Sequence, residues 1–178
     1  MAYEQIWAPW RLAYIQHDEG DPKPQPSAES LLPGADPECF LCRCVPGGDD
    51  RQRLVICRSQ HTIVVMNRYP YNNGHLLVAP CRHLARLDQF DAQQHLEIAQ
   101  TLTRMVGLLE AVLHPEGFNI GLNLGRTAGA GVPGHLHWHI VPRWEGDTNF
   151  MPVTAAVRVI PQSLDALWEA LTGQFSHL

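Results

Sequence analysis

The chain of 178 residues lacks the features of a membrane or secreted protein. No apolar run approaches the roughly 20 residues that a membrane-spanning helix needs. The segment 1–5 has no basic start followed by an apolar core, as a secretory signal would have. The five cysteines are an odd number, too few and too scattered for a disulfide framework. We therefore expect a cytoplasmic protein with reduced cysteines and no membrane partner.

Positive charge is also scarce. Thirteen Lys and Arg residues stand against 18 Asp and Glu residues, which gives a net charge of −5 with neutral histidines. A broad nucleic-acid-binding surface needs a basic stripe, so we expect no nucleic-acid partner. A small phosphorylated ligand remains compatible with this charge, because a few local donors suffice to bind it. Hydrophobic residues make up 45 % of the chain, which is enough to form a real core.

The first 38 residues differ in composition from the rest of the chain. Trp7, Trp10 and Tyr14 lie in an aromatic segment, which predicts a short helix packed on the domain or on a partner subunit. Five prolines between positions 20 and 37 indicate an irregular connector. The predicted organisation is an N-terminal arm and proline-rich connector over 1–38 and one folded domain over 39–178.

The folded domain alternates short β-rich runs with helical patterns. Asp91 and Gln94 have the spacing of a capping box, which predicts a long helix that ends before Pro115. Ser163 is a candidate cap for a C-terminal helix. Together these signals predict an α+β domain with a largely antiparallel five-stranded sheet. The predicted strands are 53–57, 62–66, 75–80, 118–124 and 135–142.

Three histidines alternate with apolar residues between His135 and His139. Side chains alternate between the faces of a strand, so all three imidazoles project to one face about 6–7 Å apart. Such a face suits a catalytic metal site or an imidazole that attacks phosphorus. The glycine-rich loop 125–134 favours the second chemistry, because its backbone N–H groups can hold phosphate oxygens. The spacing alone leaves both interpretations open.

Cys39 and Cys42 form a C-x-x-C pair. Two thiolates at this spacing commonly bind one zinc ion, which then needs two more ligands. A redox pair is the rival interpretation, although such a pair usually opens a helix after a strand.

The complete run His-φ-His-φ-His-φ-φ at 135–141, with φ apolar, resembles the signature of the histidine triad (HIT) family. The segment 67–78 also looks like the first strand–turn–strand of that family, and the resemblance covers about residues 50–145. The tryptophan-rich arm and the run 142–150 are similar to the branch near diadenosine tetraphosphate phosphorylases and hydrolases. The resemblance implies a HIT-like fold with a long helix and a C-terminal helix, a small nucleotide substrate and a homodimer.

The resemblance also implies roles for single residues. His137 matches the nucleophile that attacks the α-phosphorus, with its Nδ1–H held by the backbone carbonyl of His135. His139 matches the residue that contacts the phosphate and can donate a proton to the leaving group. His75 matches a fourth histidine that borders the phosphate site, and a structural role for it is the alternative.

Four positions match substrate contacts of the family. Asn67 corresponds to a residue on the ribose hydroxyls, although it could equally cap a turn. Asn123 corresponds to an amide that contacts the phosphate or the bridging oxygen. Gly131 and Val132 stand where relatives often have Gln, Ser or Thr, so backbone N–H groups would replace a side-chain donor here. This departure leaves the preference for phosphate or water open.

Relatives with a C-x-x-C pair complete a structural zinc site with two histidines, which correspond to His83 and His135. The implied function is a nucleotide hydrolase or phosphorylase that cleaves a diadenosine polyphosphate-like substrate through a nucleotidyl-His137 intermediate. Magnesium is expected only as a counter-ion of the substrate. The alternatives are a nucleoside 5′-phosphoramidase, a metallohydrolase that uses the triad as ligands, and a nucleotide-binding sensor with incidental turnover.

Overall fold

The computed structural model describes residues 31–148 and 159–175. The predicted aromatic helix of the arm, around Trp7, Trp10 and Tyr14, lies outside these residues, as does the connector up to position 30. Among the helices of the described segments, none is both long enough and apolar enough to cross a bilayer.

The described residues form four α-helices and five β-strands. The helices are α1 (Phe40–Cys44), α2 (Asp50–Arg53), α3 (Ala92–Leu113) and α4 (Leu164–Phe175). The strands are β1 (Val55–Arg58), β2 (Thr62–Met66), β3 (Leu76–Pro80), β4 (Gly117–Leu122) and β5 (Trp138–Arg143). Short 3-10 helices occur at Leu87–Gln89 and Arg126–Ala128.

All five strands belong to one sheet with the order β1-β2-β3-β5-β4, and all neighbouring strands are antiparallel. The predicted α+β class and five-stranded antiparallel sheet are therefore confirmed. Strand β5 pairs with β3 on one side and with β4 on the other. The histidine-bearing segment thus leads into an internal strand.

The predicted strand 53–57 began too early. Asp49 accepts a hydrogen bond from the backbone N–H of Gln52, so residues 50–53 form the helical turn α2. Leu54 then adopts a left-handed conformation with φ of 59°, and the strand starts at Val55. The predicted strand 118–124 is likewise shorter in the structure and ends at Leu122.

The predicted strand 135–142 also began too early, because β5 starts at Trp138. The backbone N–H of His135 donates to the carbonyl of Val132, and that of Leu136 donates to the carbonyl of Leu84. These two residues are therefore bonded to loops rather than to a neighbouring strand.

The predicted capping box at the start of the long helix is confirmed. The Asp91 side chain accepts from the backbone N–H of Gln94 at 2.8 Å, and Gln94 accepts from the backbone N–H of Asp91 at 3.0 Å. Ser163 Oγ accepts from the backbone N–H of Ala166 at the start of α4, as expected of a cap.

Two apolar clusters lie on opposite faces of the sheet. The larger one packs α3 and α4 against alternate strand residues such as Val64, Val78 and Ile140. The smaller one packs α1 against the other alternation, which includes Ile63, Val65, Leu77 and Ala79. Leu77 pairs with His139 across β3 and β5, so the histidines share the face of the smaller cluster.

Gly74 fixes the turn that leads into β3. Its φ is +77°, and a Cβ at this position would lie 2.5 Å from Leu113 Cδ1 and 3.0 Å from Pro142 Cγ. Only glycine satisfies both the backbone conformation and this close approach. The turn therefore packs tightly on α3 and β5, and this packing sets the position of His75.

Candidate active site and metal centre

His137 is buried and held by one backbone hydrogen bond. His137 is only 7 % exposed, and its Nδ1 lies 2.9 Å from the carbonyl oxygen of His135. A carbonyl can only accept, so Nδ1 carries the proton and the lone pair is on Nε2. Burial lowers the pKa of His137, which favours the neutral ring. This is the protonation state that a nucleophilic imidazole needs.

His75 and His139 form a hydrogen-bonded pair beside His137. His75 Nε2 lies 2.9 Å from His139 Nδ1, and the rings of His137 and His139 have centroids 5.0 Å apart. The ring of Tyr71 stacks on that of His75 at 4.7 Å and on that of His139 at 5.8 Å. Four aromatic rings therefore form one layer on this face of the sheet.

The hydrogen bonds determine where the protons of this pair lie. The backbone N–H of Tyr71 donates to His75 Nδ1 at 3.0 Å, so the proton of neutral His75 is on Nε2. His75 Nε2–H then donates to His139 Nδ1, and the proton of neutral His139 is on Nε2. Burial is the main cause that lowers the pKa of His75 to about 3, and the close imidazoles of His139 and His137 further disfavour a positive charge on it. His75 is therefore neutral at physiological pH.

Four side chains from distant parts of the chain meet next to the triad. Cys39, Cys42, His83 and His135 place one ligand atom each within 4.8 Å of one another. Cys39 Sγ lies 3.3 Å from His135 Nδ1, and Cys42 Sγ lies 3.2 Å from His83 Nδ1. Two sulfurs and two imidazole nitrogens in a compact group match a closed tetrahedral zinc site.

The protonation states of this cluster also suit a metal. His135 Nε2 lies 2.8 Å from the carbonyl oxygen of Pro80, so its proton is on Nε2 and its Nδ1 lone pair faces the sulfurs. The hydrogen bond between the two thiols, helped by His135, lowers the pKa of Cys42, and the same hydrogen bond raises the pKa of Cys39, so the two sulfurs share one proton until a metal displaces it. The residues present therefore fit zinc, which binds thiolates and neutral imidazoles.

The histidine run left open whether the imidazoles bind a metal or attack phosphorus, and the cluster assigns different histidines to the two roles. In residues 31–148 and 159–175, the cluster of close metal-ligating side chains includes His135 but neither His137 nor His139. Cys39 and Cys42 lie at the start of the short helix α1, as a redox pair also would. The two histidines that complete the cluster favour metal binding instead. His135 belongs to both sites, because its ring faces the cysteines and its carbonyl holds His137.

Gly134, which precedes the ligand His135, has a packing role. A Cβ at Gly134 would lie 3.0 Å from His83 Nε2. Any larger residue before His135 would therefore push against the other histidine of the cluster.

The residues expected to contact substrate lie on the histidine face of the sheet and make few side-chain hydrogen bonds. Asn67 Oδ1 accepts from the backbone N–H of Tyr69 at 3.0 Å, which is the turn-capping role, and its Nδ2 lies 3.3 Å from His75 Nδ1. Asn123 Nδ2 donates to the carbonyl of Gly129 at 3.5 Å. Gly131 is exposed, and the half-buried side chain of Val132 packs against the smaller apolar cluster.

Tyr71 is the site residue that sequence reasoning missed. It lies in the turn between β2 and β3, where a tyrosine fits an ordinary turn and no residue pattern marks it. Its position four residues before His75 puts its backbone N–H against His75 Nδ1. Only the path of the turn, which Gly74 fixes, shows that its ring covers two histidines.

Comparison with known proteins places these features in a family. Residues 50–146 match the HIT domain. The AP-4-A phosphorylase of Mycobacterium tuberculosis strain H37Rv is 35 % identical over 161 residues, which are 90 % of this chain and 78 % of that protein. The asymmetrical bis(5′-nucleosyl)-tetraphosphatase of Schizosaccharomyces pombe is 31 % identical over 93 residues, which are 52 % of this chain and 50 % of that protein.

The fold also matches solved structures. The crystal structure of a Zn-bound histidine triad family protein from Mycobacterium smegmatis has a TM-score of 0.57 and 24 % identity to this chain, covering 70 % of this chain and 84 % of the other. The domain match spans more than half of the chain and includes the whole histidine face. The chain belongs to the HIT domain family.

Proposed function

We propose that this HIT enzyme cleaves diadenosine polyphosphates at the α-phosphorus through a covalent nucleotidyl-His137 intermediate. The observation that carries the proposal is the buried, neutral His137, whose Nδ1–H is held by the His135 carbonyl so that the Nε2 lone pair is the reactive one. The similarity to a phosphorylase and a tetraphosphatase of dinucleotides supports this class of substrate.

In the first step, His137 Nε2 forms a bond to the α-phosphorus and the bond from phosphorus to the bridging oxygen breaks. The leaving polyphosphate departs as an anion. His139, whose Nδ1 accepts from His75 and whose Nε2 therefore carries a proton, donates a hydrogen bond to the oxygen on which this charge develops. His137 becomes a cationic imidazolium, and the His135 carbonyl stabilises its Nδ1–H.

In the second step, an acceptor oxygen displaces His137 from phosphorus and restores the neutral ring. If the acceptor is water, AMP forms and the attacking water loses a proton to solvent or to a phosphate group. If the acceptor is inorganic phosphate, ADP forms. The backbone N–H groups of Gly131 and Val132, and the amide of Asn123, are proposed to hold the phosphate oxygens, while Asn67 is proposed to contact the ribose.

Product analysis distinguishes these outcomes. Diadenosine tetraphosphate is incubated with the purified protein, with and without inorganic phosphate. ADP that appears only with phosphate identifies phosphorolysis, and AMP in its absence identifies hydrolysis. Turnover of a nucleoside 5′-phosphoramidate at a higher kcat/KM than the dinucleotide would favour the phosphoramidase instead. Tight nucleotide binding without product would favour a sensor and contradict the proposal.

A structural zinc ion is proposed at Cys39, Cys42, His83 and His135. Bound there, zinc would supply a closed cross-link with four protein ligands and no open position for water. The cross-link would join the segment before α1 to the loop that carries His137. We also propose that magnesium acts only as a counter-ion of the polyphosphate.

The assembly and organisation of the protein are also proposals. Ile120 and Leu124 are 48 % and 44 % exposed at or next to the edge strand β4, which supports a homodimer formed through this edge. All five cysteines lie outside disulfide bonds, which supports a cytoplasmic location. The division into an arm over 1–38 and a domain over 39–178 is proposed because the zinc ligands begin at Cys39.

A further inference from the structure

An open cavity of about 250 Å³ lies on the histidine face of the sheet and shares only Tyr71 with the site described above. Two of its walls are the aromatic ring of Tyr71 and the side chain of Val141. Its other walls are polar. The lining residues are Tyr71, Asn72, Asn119, Val141, Arg143 and Thr148.

The cavity adjoins the catalytic histidines through Tyr71 and Val141. Val141 follows His139 on the same face of β5, and the Tyr71 ring that lines the cavity also stacks on His139. On the neighbouring strand β4, Asn119 pairs with Val141 and Gly121 pairs with His139. A Cβ at Gly121 would meet nothing within 4 Å, so no side chain separates His139 from the cavity along this strand.

The charges of the cavity are balanced. Both oxygens of the Asp147 carboxylate accept from the Arg143 guanidinium, and this hydrogen bonding lowers the pKa of Asp147 to about 2. Arg143 Nη1 also donates to Asn119 Oδ1 at 2.7 Å. The amide N–H groups are then the donors that Asn119 can offer a ligand. The Arg143 guanidinium is thus engaged by Asp147, and the remaining amides, hydroxyl and aromatic wall suit a neutral nucleoside.

The distance along the sheet fits the far end of a dinucleotide. Arg143 follows His139 by four residues on β5, which places their Cα atoms about 13–14 Å apart. An extended polyphosphate chain that starts at the α-phosphorus beside His137 and passes His139 would deliver its distal end here.

We propose that this cavity binds the distal nucleoside of the leaving nucleotide, so that Asn119 and Thr148 select dinucleotides over mononucleoside polyphosphates. The inference rests on the proposed function, because it assigns the second half of the same substrate. The residues concerned do not touch the reacting phosphorus, and their effect is on substrate choice.

The test compares two substrates that differ only in the distal nucleoside. We would measure kcat/KM for diadenosine tetraphosphate and for adenosine 5′-tetraphosphate in the wild type, Asn119→Ala and Thr148→Val. The wild type should prefer the dinucleotide. Each variant should lower kcat/KM for the dinucleotide about 3- to 10-fold, the effect of one neutral hydrogen bond, and leave kcat/KM for the mononucleoside substrate unchanged.

Thr103→Val is the matched control for Thr148→Val, because Thr103 is exposed on α3, lies outside the cavity lining and donates its hydroxyl to the carbonyl of Ala99 in its own helix. It should change kcat/KM for neither substrate. A wild type that cleaves both substrates equally well would overturn the inference. Equal losses on both substrates in the Asn119 and Thr148 variants would assign the cavity to phosphate or to folding and would also overturn it.

The failure of this inference is distinct from the failure of the proposed function. If the function is wrong, the wild type forms no nucleotidyl-His137 with either substrate. If only the cavity assignment is wrong, the adduct forms normally and the substrate preference is insensitive to Asn119 and Thr148.

Discussion

Replacing His75 with glutamine should reduce the loss of stability that the protein suffers in mild acid. His75 is 2 % exposed, and burial is the main cause that lowers its pKa to about 3 in the folded protein. In the unfolded chain the same imidazole titrates near 6.5. Between these two pH values the unfolded chain binds a proton that the folded protein does not. The free energy of unfolding therefore falls as the pH falls, by about 1.4 kcal/mol per pH unit from this residue.

Urea denaturation at a series of pH values measures this effect. From about pH 6.5 to about pH 5, His75 should account for roughly 2 kcal/mol of the decrease in the free energy of unfolding. The decrease in His75→Gln should be smaller by that amount, because glutamine does not titrate while its amide can still bond to Tyr71 or His139. Gln93→Ala is the control, because Gln93 is exposed on α3 and does not titrate, so this variant should keep the pH dependence of the wild type. Equal slopes for wild type and His75→Gln would refute a neutral, buried His75.

Three further perturbations test the zinc site, the turn and the leaving-group contact. Cys42→Ala should remove bound zinc, measured by elemental analysis, and lower the melting temperature. Cys44→Ala should keep the metal, because the buried Cys44 lies outside the cluster. Equal metal content in the two variants would contradict the assignment. Gly74→Ala should destabilise the fold by about 1–3 kcal/mol in urea denaturation, because the added Cβ would clash with Leu113. Gly107→Ala in α3 is the control and should be neutral or stabilising, because a Cβ there would have no atom within 4 Å. His139→Asn should lower kcat for diadenosine tetraphosphate by about 10²- to 10⁴-fold, and a loss confined to KM would show that His139 only binds substrate.

The sequence predicted the parts of the molecule that depend on periodicity and local chemistry. The alternation in the histidine run puts Leu136 and Ile140 in the larger apolar cluster, on the face opposite the imidazoles, and the Asp91 capping box correctly placed the start of α3. The four proposed zinc ligands lie together, although Cys39 and His135 are 96 residues apart in the chain. That set came from the resemblance to a family, because spacing along a chain does not give contacts in space.

Other features depended on tertiary contacts that no local pattern encodes. The late start of β5 results from backbone bonds to the loops at Leu84 and Val132. The proton positions on His75 and His139 follow from a backbone N–H of Tyr71, which a residue pattern does not reveal. The ion pair of Arg143 and Asp147 balances the charge of the distal cavity, and it depends on the turn between the two residues rather than on a pattern in the sequence.

The most direct test of the account is the isolation of the covalent intermediate. Wild-type protein is mixed in excess with diadenosine tetraphosphate that carries a label in its α-phosphate, quenched in alkali within a single turnover, and digested for mass analysis. The account predicts a base-stable, acid-labile adenylyl group on His137 that forms before product and is absent in His137→Asn. Product that appears at an undiminished rate in His137→Asn, or a label on a different residue, would contradict it.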